Sequence, residues 1–314
     1  MQNEGFDVIV IGGGAAGLSA GLMLARARRT VLVLDAGAPR NAPAAAVHGL
    51  FARDGVPPAE LAAQGRAEVR RYGGEVRSAT VTDARADGDG FVVTAGGDEL
   101  SARRLLIATG LVDDLPDLPG VREHWGHDVV HCPYCHGWEV RDTAIGVLAF
   151  GPRAVHQALL FRQWSDDVVL FTNGFPVPGA DESEQLAARD IRVVDGAVAV
   201  LESTDGRVTG VRLEDGSVVP RATIAIASPS LVRLPFAAGL GLTIAEHPSG
   251  MGEHLPADPA GRTAVPGVWA AGNVTDPFAQ VGAAAAGAAF AAAQLNMELV
   301  QEDVERAVVE RRAG

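Results

Sequence analysis

Cys132 and Cys135 are the only cysteines in the 314-residue chain, and just Pro133 and Tyr134 separate them. That spacing lets two sulfurs approach bonding distance across one turn, so the pair can cycle between dithiol and disulfide. His136 follows directly. An imidazole titrates near neutral pH and suits removal of a proton from an attacking thiol, whose thiolate is the reactive form. The spacing leaves other readings open. Cys132-Pro133-Tyr134-Cys135-His136 also fits a haem-attachment CxxCH, which requires export, and Met1 to Phe6 predicts no leader. It fits half a zinc site, with His124, His127 and His131 near in sequence, or two inert buried cysteines. His136 has the plainer reading of a ring packed beside the sulfurs, and for His131 that reading is the better one. Trp125 and Trp138 flank the pair and fit either core packing or the lining of a small pocket.

Composition removes several classes. All 26 basic residues are Arg and none is Lys, which excludes Schiff-base, P-loop and lysine general-base chemistry. The net charge is −13 and no basic stripe is visible, so nucleic acid is not an expected partner. With 47% apolar and 21% charged residues, the chain reads as globular, and its length suggests two domains. The Ala-rich stretch from Val281 to Ala293 reads as too short and too weakly apolar to cross a membrane. The expectation is a cytoplasmic protein with no resident metal.

The elements around the dithiol follow a repeated plan. Asp7 to Ile11 is an apolar, mostly β-branched run that predicts a buried parallel strand. Gly12-Gly13-Gly14-Ala15-Ala16-Gly17 and a helical pattern from Leu18 to Arg26 follow, then a strand from Val31 to Leu34 that ends at Asp35. This is a dinucleotide-binding βαβ unit, with the glycines admitting a pyrophosphate at a helix N-terminus and the carboxylate placed for ribose hydroxyls. Phe91 to Ala95 and Glu99 to Ile107 predict a β-meander ending in Ala108-Thr109-Gly110. About 137 residues after Gly12 the plan recurs: a strand from Ala144 to Leu148, a helix from Pro152 to Trp164, and a strand from Asp167 to Phe171. Strands from Val198 to Glu202, Val208 to Leu213 and Val218 to Ile226 complete it. The predicted fold is α/β, with two Rossmann-like, doubly wound, three-layer dinucleotide-binding domains, the second inserted in the first. The boundaries read as 1–115 plus 238–314 for the outer domain and 116–237 for the inserted one, which carries the dithiol.

Several motifs spread over nearly the whole chain resemble the flavin-dependent, low-molecular-weight thioredoxin reductases. They are the first GxGxxG, Ala108-Thr109-Gly110, the Cys132/Cys135 pair in the second copy, and Gly272-Asn273 before the last helix. The surrounding chain does not resemble the small glutaredoxins, which share the CPYC string. The resemblance implies a homodimer that binds FAD in the outer domain. Its cofactor-binding positions would be Gly12, Gly14, Ala15, Ala16, Gly17, Asp35, Ala36, Arg40, Val81, Ala108, Thr109, Gly110, Gly272, Asn273, Gln280 and Val281. It also implies that Cys135 lies against the flavin and that Cys132 is the exposed interchange thiol.

This chain departs from the family pattern at three places. Asn273 stands where the family has Asp, and an amide can still bond a ribityl hydroxyl. The second nucleotide motif reads Ala149-Phe150-Gly151-Pro152-Arg153-Ala154, and Thr172-Asn173-Gly174 replaces the Arg pair that takes the 2′-phosphate of NADPH. Each lost charge-assisted bond removes roughly 1.5–3 kcal/mol, so efficient use of NADPH is not expected unless Arg153 or Arg162 substitutes. His136 replaces the Asp that usually follows the second cysteine. A weak nucleotide site with CxxCH resembles the dithiol oxidases that close the disulfides of gliotoxin, holomycin and romidepsin. The resemblance implies oxidation of a small-molecule dithiol, with O2 as acceptor and H2O2 as product. An NAD(P)H- or ferredoxin-dependent thioredoxin reductase and a flavin redox sensor are the alternatives.

Overall fold

The computed structural model describes residues 4–313; Met1 to Asn3, on which the expectation about a leader partly rests, lie outside them. The chain divides into two compact units, one of Met1–Ala42, Pro58–Val112 and Ser230–Gly314, the other of Pro43–Pro57 and Asp113–Pro229.

In the first unit the elements are β1 (Glu4–Ile11), α1 (Ala15–Arg26), β2 (Val31–Asp35), α2 (Pro58–Arg71), β3 (Glu75–Ser78), β4 (Val81–Asp87), β5 (Gly90–Ala95) and β6 (Asp98–Ile107). The strands run in the order β3-β2-β1-β6-β5-β4, parallel from β3 to β6 and antiparallel through the meander. The strand Val268–Ala270 pairs in parallel with Leu105 to Ile107 of β6. Successive strand side chains point to opposite faces, and both faces are apolar here. Val8, Val10, Val31 and Val33 pack under α1 and the terminal helix, whereas Ile9, Ile11, Leu32 and Leu34 pack against Val81, Phe91 and Val93.

The terminal helix Val281–Ala313 joins the Ala-rich stretch and the charged tail into one element of 33 residues. By length and composition alone it could cross a membrane. Here it is a packed helix, with Ala284, Ala288, Ala291 and Ala292 beside the small residues of α1. Its charged half is anchored too: Arg29 donates to Asn296 and Asp303, Arg103 to Glu302 and Asp303, and Arg104 to Glu298 and Glu302, at 2.6–2.9 Å.

The second unit repeats the plan. A five-stranded parallel sheet has the spatial order Arg192–Val194, Val168–Phe171, Ile145–Leu148, Thr223–Ile226, Val129–Val130. A three-stranded antiparallel sheet is built from Val198–Thr204, Arg207–Leu213 and Val218–Pro220. The single strand expected from Val218 to Ile226 is therefore two strands in different sheets. Pro220 lacks an N–H to continue the ladder, and the buried Arg221 turns back to donate to Asp167 at 2.6 Å.

The unit boundaries, Val112/Asp113 and Pro229/Ser230, lie three and eight residues before those expected. The larger difference is Pro43–Pro57, which the sequence assigns to the outer domain and the structure groups with the inserted one. This loop closes on itself through a Val47–Val56 bridge. Its Pro43 lies so near Gly126 that a Cβ there would come within 2.6 Å of the ring.

Candidate active site

In the first unit the β1–α1 turn is built so that backbone, not side chains, faces outward. Gly12 has φ +117°, and a Cβ on it would lie 2.3 Å from the Ala108 carbonyl oxygen. A Cβ on Gly17 would lie 1.8 Å from the Gly12 carbonyl oxygen, so only glycine lets α1 start this close to the turn. Beside Gly14, the residue preceding α1, there is open space for 4 Å. Ala15 and Ala16 open α1, and a Cβ on Gly272 would come within 2.6 Å of the Ala16 methyl. Ala108 donates its N–H to Ile11, which seats Ala108-Thr109-Gly110 beside Gly12, and the buried Thr109 hydroxyl has no partner. Asp35 ends β2 beside Ala36; its Oδ1 accepts from the Gly37 N–H at 2.8 Å and its Oδ2 lies 3.6 Å from Arg66 Nη1. An open helix N-terminus, an orphaned hydroxyl and a carboxylate at the strand end fit the pyrophosphate and ribose of FAD.

The remaining positions of this unit are placed as follows. Arg40 donates to the Ser230 hydroxyl at 3.2 Å. Val81 is buried in the core between sheet and meander, so its side chain serves packing. Gln280 caps the entry to the terminal helix, with its carbonyl accepting from Ala284 at 2.8 Å, and Val281 begins the helix. The Asn273 amide nitrogen donates to the carbonyls of Asp276, Pro277 and Ala279 at 2.8–3.5 Å. This explains the departure from Asp, since a carboxylate there would face three carbonyl oxygens. Its amide N–H groups thus hold the turn into the helix, where the sequence reading gave them to a hydroxyl. Arg66, not singled out in the sequence, is brought to Asp35 by the packing of α2.

In the second unit Cys132 precedes the short helix Pro133–His136, with Pro133 at the first helical position. Cys135 and His136 both donate their N–H groups to the Cys132 carbonyl at 3.1 Å, and Val140 donates to His136 at 3.2 Å. One turn thus carries both sulfurs and the imidazole. Gly137 seats the turn on Trp164, where a Cβ would lie 2.7 Å from the indole, and Tyr134 meets Trp164 edge-on. Both cysteines are half-buried, so exposure does not separate an interchange thiol from an inner one.

Neither ring nitrogen of His136 reaches a partner with hydrogen-bond geometry, although the Cys132 carbonyl interacts with the ring. Burial pushes its pKa below the ordinary 6.5, and the Glu139 carboxylate pulls the other way. It is a neutral base with nitrogens uncommitted to any other bond. His131 Nδ1 meets the Ile226 carbonyl at 3.0 Å, which fixes the proton on Nδ1, and its own carbonyl accepts from Gln157 at 2.9 Å. Trp125 packs against the core, whereas Trp138 is exposed under the Arg141 guanidinium. Among the described residues no group of three or more His, Cys, Asp or Glu is arranged to hold a metal ion.

The second nucleotide turn is turned inward. Asn173 donates to the Ala149 carbonyl at 3.2 Å and accepts from the Val198 N–H at 3.1 Å. Thr172 donates to Asp195 at 2.7 Å. Phe150 packs against the core, Pro152 offers no N–H, and the helix Ala154–Phe161 starts only afterwards. Arg162 is committed to the Arg189 carbonyl and to Asp166.

Known proteins resemble this chain in sequence and fold. The family model described as pyridine nucleotide-disulphide oxidoreductase matches residues 6–305. Thioredoxin reductase tcpT of Claviceps purpurea is 33% identical over 287 residues, which cover 85% of this chain and 86% of that protein. Thioredoxin reductase sirT of Leptosphaeria maculans is 31% identical over 317 residues, covering 95% and 96%. The crystal structure of HlmI has a TM-score of 0.92 and 47% identity, covering 99% of this chain and 98% of its own. An oxidoreductase from Agrobacterium tumefaciens has a TM-score of 0.88 and 37% identity, covering 94% and 98%. The chain therefore belongs to the pyridine nucleotide-disulphide oxidoreductase family, among its thioredoxin reductase-like flavoproteins.

Proposed function

We propose that this enzyme oxidises a small-molecule dithiol to its intramolecular disulfide through Cys132 and Cys135, with FAD as cofactor and O2 as electron acceptor. The observation that carries this reading is the second nucleotide turn, whose residues bond to their own unit where a reductase would receive NADPH. FAD, when bound, takes two electrons from the reduced cysteine pair and passes them to the acceptor. The chain's own residues do the sulfur chemistry. Neutral His136 takes a proton from one substrate thiol. The resulting thiolate attacks Cys132 of the Cys132–Cys135 disulfide; an S–S bond forms to Cys132 and Cys135 leaves as thiolate. The second substrate thiol gives its proton to the Cys135 thiolate, attacks the substrate sulfur of the mixed disulfide and expels Cys132 as thiolate. The substrate loses two electrons and two protons, the pair gains the electrons, and the net reaction with O2 yields one disulfide and one H2O2.

The names of the fungal relatives favour a second reading, NAD(P)H- or ferredoxin-driven reduction of a thioredoxin-type disulfide. That reaction needs an electron entry site, which the inward turn of Thr172-Asn173-Gly174 opposes.

Oxygen uptake with a small dithiol tests the proposal. The expected result is one O2 consumed and one H2O2 formed per disulfide, with Cys132→Ser and Cys135→Ser each lowering the rate by about 10³-fold or more, the scale of losing a nucleophile. Uptake unchanged in both variants would contradict it.

A further inference from the structure

We propose that Glu139 and His48 are positioning residues for His136, which makes the loop Pro43–Pro57 part of the dithiol centre. The inference rests on the dithiol-oxidase reading for its chemistry, and on geometry for its residues. The loop is held shut: besides the Val47–Val56 bridge, Gly55 donates to the Val47 carbonyl and Gly49 to Asp54 Oδ1, both at 2.8 Å. At its base His48 stands between two carboxylates. Its Nε2 lies 3.3 Å from Glu139 Oε1 and its Nδ1 lies 3.5 Å from Asp54 Oδ1. Glu139 follows His136 by three residues, and the Val140 to His136 hydrogen bond at 3.2 Å carries the helical turn through it. Residues three apart on such a turn share a face. Glu139 therefore joins the loop to the turn that carries His136.

The chemistry gives the pair a task. When His136 takes the substrate proton it becomes an imidazolium in a half-buried place, with the Cys132 carbonyl acting on its ring but no carboxylate bonded to either nitrogen. Such a charge is costly unless an opposite charge stands near. The Glu139 carboxylate supplies that charge, and His48 fixes the carboxylate and returns the proton toward solvent, its own side chain being a quarter exposed. The titratable groups that act on His136 are Glu139 on its own turn, His48 from the loop and His131 from the strand end, with Cys132 and Cys135 on the same turn and Asp54 behind His48. Glu139 raises its proton affinity, while His48 and His131 lower it.

The two variants are thus expected to move His136 in opposite directions, which a merely structural role would not do. The measurement is an NMR titration of histidine-labelled protein, with His136 assigned by His136→Gln, on FAD-loaded wild type, Glu139→Gln and His48→Gln. Gln at position 48 keeps an amide donor for Glu139 and removes the imidazole. The expected result is a lower His136 midpoint in Glu139→Gln and a higher one in His48→Gln. Anaerobic flavin reduction by dithiothreitol should slow about 10-fold in Glu139→Gln with half-saturation unchanged, less than the about 10²-fold expected for His136→Gln. A His136 midpoint that stays put in both folded variants would overturn the inference, even if dithiothreitol reduces the wild type. Midpoints that move as stated, in a protein that dithiothreitol does not reduce, would support the electrostatic arrangement and sink the oxidase reading instead. Retained FAD and an unchanged far-UV spectrum identify variants that fold.

Discussion

The two units carry the same turn at the same place in one plan, and they treat it in opposite ways. In the first, Gly12 and Gly17 withdraw every side chain, and open space remains beside Gly14. In the second, Asn173 bonds to the Ala149 carbonyl and the Val198 N–H, Phe150 packs against the core, and Pro152 removes an N–H that a phosphate would use. On the proposed reading, the duplicated fold keeps one nucleotide site and spends its second copy on positioning a dithiol. The lesson is that strand order preserves a scaffold, while a few residues at one strand end decide whether it binds a nucleotide.

The comparison breaks most sharply at the matched positions Gly14 and Gly151. Gly14→Val should abolish bound FAD, because the open space beside Gly14 is where the first turn would take the pyrophosphate. Gly151→Val in the second unit meets nothing within 4 Å and should leave FAD content and turnover within about twofold, as for substitutions away from packed features. Absorbance at 450 nm per chain reads both. Equal flavin loss in the two variants would mean that the units are not differentiated as described.

A smaller effect separates how the units are closed. The terminal helix of the first unit is tied by Asp303, whose bonds to Arg29 and Arg103 lower its carboxyl pKa from 3.8 to about 2. A lowered folded-state value stabilises above the unfolded pKa and is lost as pH falls through the folded one. That contribution should therefore be complete above about pH 4 and fade toward pH 2. Asp303→Asn should lower Tm at neutral pH by about 2–4 °C or less, since exposed pairs contribute about 1 kcal/mol at most. The difference from wild type should shrink severalfold by pH 2. A difference undiminished at pH 2 would place the effect in packing, not charge.

Much of this was legible before any coordinates. The glycine turn, Asp35, Ala108-Thr109-Gly110 and the CxxCH turn are local patterns, and each lies where its spacing implied. What escaped the sequence depends on partners far along the chain. Pro43–Pro57 reads as a connection because its closure depends on pairing Val47 with Val56, and its seat is Gly126, more than eighty residues away. The anchoring of the charged end of the terminal helix could not be read locally, because its partners, Arg29, Arg103 and Arg104, lie about 200 or more residues upstream. Asn273 looks like a mild ligand change until three carbonyls appear around its amide. The break at Pro220 was signalled by the residue itself, yet the apolar run on both sides outweighed it.

The central claim is that electrons enter this protein from a dithiol and not from a pyridine nucleotide. Anaerobic stopped-flow at 450 nm tests it directly, with the FAD-loaded protein mixed against NADPH, NADH or a small dithiol, and air admitted afterwards. The account predicts that the dithiol bleaches the flavin, that NADPH does so at least about 10²-fold more slowly, as loss of two charge-assisted phosphate bonds requires, that NADH, which has no 2′-phosphate, is also slower because Pro152 offers no N–H to its pyrophosphate, and that air restores the colour with formation of H2O2. Rapid bleaching by NADPH, with little by the dithiol, would contradict it and identify a reductase.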